Sequence, residues 1–169
     1  ILVNYCTFNS NFKCVSLRYF NPLGSHKDLK ENPKYEYPQN LMPNLLKAVD
    51  DPEYVFSIFG NTYNTYDGTP VRDYIHVVDL ADAHRCALEN IDSLESNYET
   101  FNVGTGIGYS VMDVIKTMEA ASCTNISRQM CEPRDGDVEC VYADTTKIGM
   151  MFNWCANKTL VDMCQDSLR

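Results

Sequence analysis

Residues 71–84, Val71-Arg72-Asp73-Tyr74-Ile75-His76-Val77-Val78-Asp79-Leu80-Ala81-Asp82-Ala83-His84, run from a short apolar alternation straight into a helical pattern. Val71, Ile75 and Val77 have the spacing of one face of a strand. Between them stand a guanidinium, a carboxylate, a phenol and an imidazole, on Arg72, Asp73, Tyr74 and His76. Pure scaffold has no use for that mixture, so the stretch reads as a strand end that delivers side chains to a ligand. A strand that passes at once into a helix places the chain in the α/β class.

The rest of the chain fits that class. Ile1–Cys6 reads as the tail of a helix already under way, which marks the chain as a fragment. Lys13–Phe20 alternates and is rich in β-formers, a strand stopped by a turn at Asn21-Pro22-Leu23-Gly24. Residues 24–39 are polar, are broken by Pro33 and Pro38, and read as a long loop. Asn40 is expected to cap a helix through Asp50. Tyr54–Phe59 is a second strand, and Asp67-Gly68 predicts a hairpin returning from it to Val71. A helix follows from about Val78 to Ile91. Phe101–Val103 is a short strand, and Val111–Met118 a helix whose Ser110 and Asp113 form a capping pair. A further strand is expected within 124–131, then a polar turn at 133–137 and two helices near 144–151 and 159–168. Thr159 and Asp162 supply the second capping pair.

Composition narrows the function. With 169 residues, 44% of them hydrophobic and 22% charged, the chain builds one core, and it has no apolar run that spans a bilayer. A net charge of −9 repels polyanions, so nucleic acid is excluded as a partner and an anionic small ligand needs local arginines. The eight cysteines form no C-x-x-C pair and no Cys/His cluster at metal spacing, so no metal is expected. Cys14, Cys86 and Cys164 lie in apolar segments, as thiols do in a reducing compartment, and a cytoplasmic location is expected. The sequons at Asn125 and Asn157 count the other way, but so short a pattern recurs by chance.

Four constellations carry chemistry. Gly104-Thr105-Gly106-Ile107-Gly108 follows a strand and opens a helix, but its G-x-G-x-G spacing favours a tight turn over a pyrophosphate cradle. His76 and His84 are candidate general bases; no nucleophile stands beside them, which favours satisfied structural histidines. Glu132, Asp135 and Asp137 read as a solvated loop. Arg72 and Arg134 are either a clamp for a diphosphate or ordinary surface ion pairs, and spacing alone does not separate the two.

Seven segments occur in one order: Leu17-Arg18-Tyr19-Phe20-Asn21-Pro22, Gln39-Asn40-Leu41-Met42-Pro43, Ile58-Phe59-Gly60-Asn61, Asp67-Gly68-Thr69, Val71–Ala81, Phe101–Gly106 and Arg134-Asp135-Gly136-Asp137. Together they resemble the C-terminal half of the UDP-glucose 4-epimerases, a family of extended short-chain dehydrogenases/reductases, over nearly the whole chain. The resemblance implies an α/β fold: the C-terminal portion of an extended Rossmann-type architecture, mainly its smaller substrate-binding domain. Residues 1–22 would end the NAD-binding domain, and 23–169 would form mainly the UDP-sugar domain, with some segments returning to the first.

The same resemblance implies NAD as cofactor, UDP-glucose and UDP-galactose as substrates, and a homodimer at full length. It places Tyr19, Phe20 and Asn21 near cofactor and substrate, Asn40 and Leu41 on the UDP moiety, and Ser57 and Phe59 along the uridine pocket. Arg72, Arg134 and Asp137 would bind diphosphate and ribose with Tyr74 close by, and Val141 would occupy the position that limits sugar size. Gln39 and Asp135 are mild departures from the family pattern. The family's catalytic Ser and its Tyr-x-x-x-Lys pair do not occur in these 169 residues, so the chain alone is expected to be inactive. Alternatives are another nucleotide-sugar epimerase or dehydratase of the superfamily, or a non-catalytic sugar-nucleotide module.

Overall fold

The computed structural model describes residues 1–28 and 40–168. The chain enters through helix α1 (Leu2–Phe8) and strands β1 (Cys14–Tyr19) and β2 (Asn21–Leu23). Helix α2 (Leu41–Asp50), strand β3 (Phe56–Phe59), strand β4 (Val71–His76) and helix α3 (Val77–Asn90) follow. Then come β5 (Tyr98–Val103), β6 (Gly108–Ser110) and α4 (Val111–Ser122). The chain closes with β7 (Arg128–Cys131), β8 (Cys140–Val141), α5 (Thr146–Phe152) and α6 (Leu160–Ser167). β1 runs parallel to β5, and β3 parallel to β7. β4 pairs parallel with β2 and β8 and antiparallel with β6.

Two apolar cores lie on either side of β4. In the first, Tyr74 meets Leu45 of α2, Ile58 of β3, Met118 of α4 and Met163 of α6. In the second, Ile75 meets Ala83 of α3, Phe101 and Val103 of β5, and Ile148 and Phe152 of α5. Successive side chains of a strand point to opposite faces, so adjacent residues of β4 serve different cores.

Several expectations need correction. Asn21-Pro22-Leu23 is strand, not turn: the chain leaves β1, Phe20 still donates its N–H to Val103 O, and Pro22 sits in an edge strand where a missing donor is tolerated. Gly24, directly after β2, has φ +83°. No hairpin joins β3 to β4, because β3 pairs with β7 instead. Asp67-Gly68 only turns the intervening loop, where Gly68 has φ +80° and a Cβ would lie 2.3 Å from Asn61 O. The glycine cluster leads not directly into α4 but through β6, and the strand before it is six residues long rather than three. Asn40 occupies the cap position of α2 without a side-chain capping bond. Both predicted capping boxes form, at Ser110–Asp113 and Thr159–Asp162, which gives Thr159 a structural task. Gln39 and most of the long loop lie outside the described residues.

Candidate functional site

Arg72 and Asp73 leave β4 in opposite directions. Arg72 points outward, donating from one nitrogen to Val71 O and from the other to Asp137 Oδ1, each at 2.8 Å. Asp137 ends a turn closed by its own N–H on Arg134 O, with Gly136 at φ +79°. At the other end of that turn the Arg134 guanidinium lies 4.1 Å from the centre of the Phe59 ring. Phe59 and Ser57 share one face of β3, and the Ser57 hydroxyl accepts from Gln129 Nε2. Ser57, Phe59, Arg134, Asp137 and Arg72 thus form one strip from β3 to β4, with the exposed Val141 paired beside Arg72. The strip offers two guanidinium groups and an aromatic face to an anionic, ring-bearing ligand.

A second group stands where β1 and β5 part from β2 and β4. Tyr19 is half exposed at the carboxyl end of β1, and its hydroxyl meets His84 Nε2 at 2.6 Å. His84 Nδ1 faces Leu80 O at 2.8 Å, and a carbonyl only accepts, so Nδ1 carries the proton and Tyr19 donates to Nε2. His84 therefore braces Tyr19. Phe20 and Asn21 continue from it, with Asn21 opposite Tyr74. The carboxyl ends of parallel strands at a change of sheet are where α/β folds take up nucleotides, and this placement suits a dinucleotide beside Tyr19.

Four further candidate residues, Tyr74, Asn40, Leu41 and His76, have the following surroundings. Tyr74 is 3% exposed and belongs to the first core, where burial pushes its phenol pKa up, so it packs rather than contacts ligand. Asn40 and Leu41 begin α2: Asn40 is exposed with its carbonyl accepting from Asn44 Nδ2, and Leu41 packs on the first core. His76 is fully buried; its Nδ1 accepts from Val78 N at the start of α3, and its Nε2 faces Asp166 Oδ2 at 3.2 Å.

Sequence reasoning missed Asp73. Its fully buried carboxylate accepts from Thr105 N (2.9 Å), Thr105 Oγ1 (2.7 Å), Gly106 N (2.9 Å) and Ala143 N (3.1 Å). A Cβ on Gly104 would come within 2.5 Å of Asp73 Oδ2, so this glycine serves the close approach of its own backbone to a carboxylate. The signal was present: Asp73 occupies the register of Val71 and Ile75. A second anchor, Asp67, accepts from Thr69 N, Thr69 Oγ1 and Ser110 Oγ. Burial raises its pKa, but those hydrogen bonds outweigh it and hold the carboxyl below its usual range. Among the described residues no group of three potential ligands stands ready for a metal.

A parallel-stranded α/β fold with polar side chains gathered at strand ends defines a nucleotide-binding class. A model of the NAD dependent epimerase/dehydratase family matches residues 1–104, and the chain belongs to that family. The UDP-glucose 4-epimerase of Dictyostelium discoideum is 41% identical over 169 residues, 99% of this chain and 49% of that protein. The solved UDP-glucose 4-epimerase of Stenotrophomonas maltophila, with bound NAD and formylated UDP-arabinopyranose, superposes with a TM-score of 0.92 at 35% identity, over 99% of this chain and 50% of that one. The Bifidobacterium longum enzyme in complex with NAD+ and UDP gives 0.88 at 39%, over 98% and 49%. The chain spans about half the length of these relatives. The matches establish the fold, the family and the shared extent.

Proposed function

We propose that this chain holds the UDP moiety of a UDP-hexose within an NAD-dependent 4-epimerase that interconverts UDP-glucose and UDP-galactose. The observation that carries the reading is the strip in which Arg72, Asp137, Arg134 and Phe59 are linked side by side between β3 and β4. Both guanidinium groups have internal partners of a kind that a diphosphate and a uracil ring replace: Arg72 exchanges a carboxylate for phosphate, and Phe59 exchanges a cation for a base. NAD, when bound, supplies the hydride acceptor at the sugar C4. Tyr19 at the end of β1, half exposed and braced by His84, is the group of this chain set to meet it. The catalytic Ser and Tyr-x-x-x-Lys pair come from residues outside these 169, so the chain alone is inactive. The division into residues 1–22 with the cofactor domain and 23–169 mainly with the substrate domain, a homodimeric whole protein and a cytoplasmic location belong to the same reading.

Calorimetric titration of UDP-glucose into the whole protein tests it. Arg72→Ala is expected to weaken binding by roughly tenfold to a hundredfold, the range for a lost charge-assisted contact. Unchanged affinity would refute the assignment, as would UDP-galactose turnover by the 169-residue chain with added NAD.

A further inference from the structure

We propose that Asp73 is a positioning residue that fixes where Val141 and Tyr142 stand against the bound hexose; the inference rests on the reading of this face as a UDP-sugar site. Residues 132–142 are all exposed, and Ala143, 4% exposed, is the first buried residue after that run. Its N–H donates to Asp73 Oδ2, an oxygen that also takes the Gly106 N–H. The other oxygen is occupied by Thr105 N and Oγ1. A buried carboxylate with four donors on it does not shift without leaving some of them unpaired. Position 143 is therefore fixed relative to β4 and the glycine turn. The Tyr142 ring rests against that turn as well, since a Cβ on Gly108 would lie 3.4 Å from Tyr142 Cδ1.

Midway along, the exposed run is held by Asp137 on Arg72. Consecutive residues of β4 thus grip residues 137 and 143, on either side of the short pairing of Cys140 and Val141 with that strand, and the grips differ in kind. The Arg72 grip is a solvent-accessible ion pair that a diphosphate replaces. The Asp73 grip is buried and has no replacement. UDP re-partners one grip while Val141 and Tyr142, next to the other, hold their place.

The test is calorimetry on the whole protein with UDP, UDP-glucose and UDP-N-acetylglucosamine. Asp73→Ala removes the grip, and Gly104→Ala wedges a methyl group between Asp73 Oδ2 and Ala143 Cβ, each within 2.7 Å of the added atom. Both are expected to change the ratio of the two sugar-nucleotide affinities by about tenfold or more, the scale of an ångström's misplacement, with UDP affinity unchanged. Asp73→Asn turns its oxygen to Gly106 and Ala143 and its amide to the Thr105 hydroxyl; it leaves the Thr105 N–H unpaired but keeps the grip on residue 143, so it retains the wild-type ratio. Thr105→Val removes the hydroxyl from the opposite oxygen and from Ile107, keeps the grip on residue 143, and leaves the ratio alone. Should Asp73→Ala fail to fold, Gly104→Ala carries the test. A ratio unchanged in Gly104→Ala, or a fall in UDP affinity equal to that of both sugars, overturns the inference. Wild-type protein that binds none of the three overturns the UDP-sugar reading itself, and this inference with it.

Discussion

Asp73 and Arg72 are neighbours in sequence and opposites in environment. One is sealed from solvent with its hydrogen bonds made to the backbone and a hydroxyl of its own chain; the other is partly open and paired with a carboxylate on an exposed turn. The same arrangement of strand thus yields two kinds of grip. Buried acceptors facing backbone N–H groups fix geometry, because no solvent competes and every loss leaves an orphaned donor. Exposed ion pairs contribute little to stability and are free to exchange partners. The permanent grip lies inside the fold, and the exchangeable one lies toward solvent.

That contrast is open to measurement by urea denaturation. The largest effect is expected for Asp73→Ala, which orphans three backbone N–H groups and should cost about 3–5 kcal/mol, the range for a broken buried network; a cost under about 1 kcal/mol would erase the distinction. Asp79 is the intermediate case. It is 6% exposed and accepts from Asn157 N and Lys158 N, tying the start of α3 to the segment before α6. Asp79→Ala is expected to cost about 1–3 kcal/mol. The smallest effect belongs to the pair: Arg72→Ala and Asp137→Ala should each cost less than about 1 kcal/mol, with a coupling energy in a double-mutant cycle below the same limit. A coupling of several kcal/mol would make Arg72 as structural as Asp73.

How far these roles could be read beforehand follows the same line. The elements were legible because apolar periodicity and capping pairs act locally; Ser110–Asp113 and Thr159–Asp162 are signals three residues apart that the fold simply realises. Strand pairing was not legible, because it is decided across the chain: Asp67-Gly68 looked like a hairpin until β3 took β7 as its partner. In the site, Arg72 and Arg134 stood out as cations in an acidic chain, while Asp137 read as solvated loop until the resemblance set it beside them. Tyr74, which the resemblance set close to the ligand, is sent by strand alternation into the first core. Asp73 escaped because its meaning comes from donors at residues 105, 106 and 143, far away in sequence.

The position of β4 between the two cores has a consequence for how the molecule comes apart. Tyr74 on one face and Ile75 on the other are both at or near zero exposure, so neither core has a wall of its own. A fluctuation that opens one core strips the shared wall from the other. The two cores therefore melt as one cooperative unit rather than as separate foldons, and the amides of this strand are released only when the whole structure is.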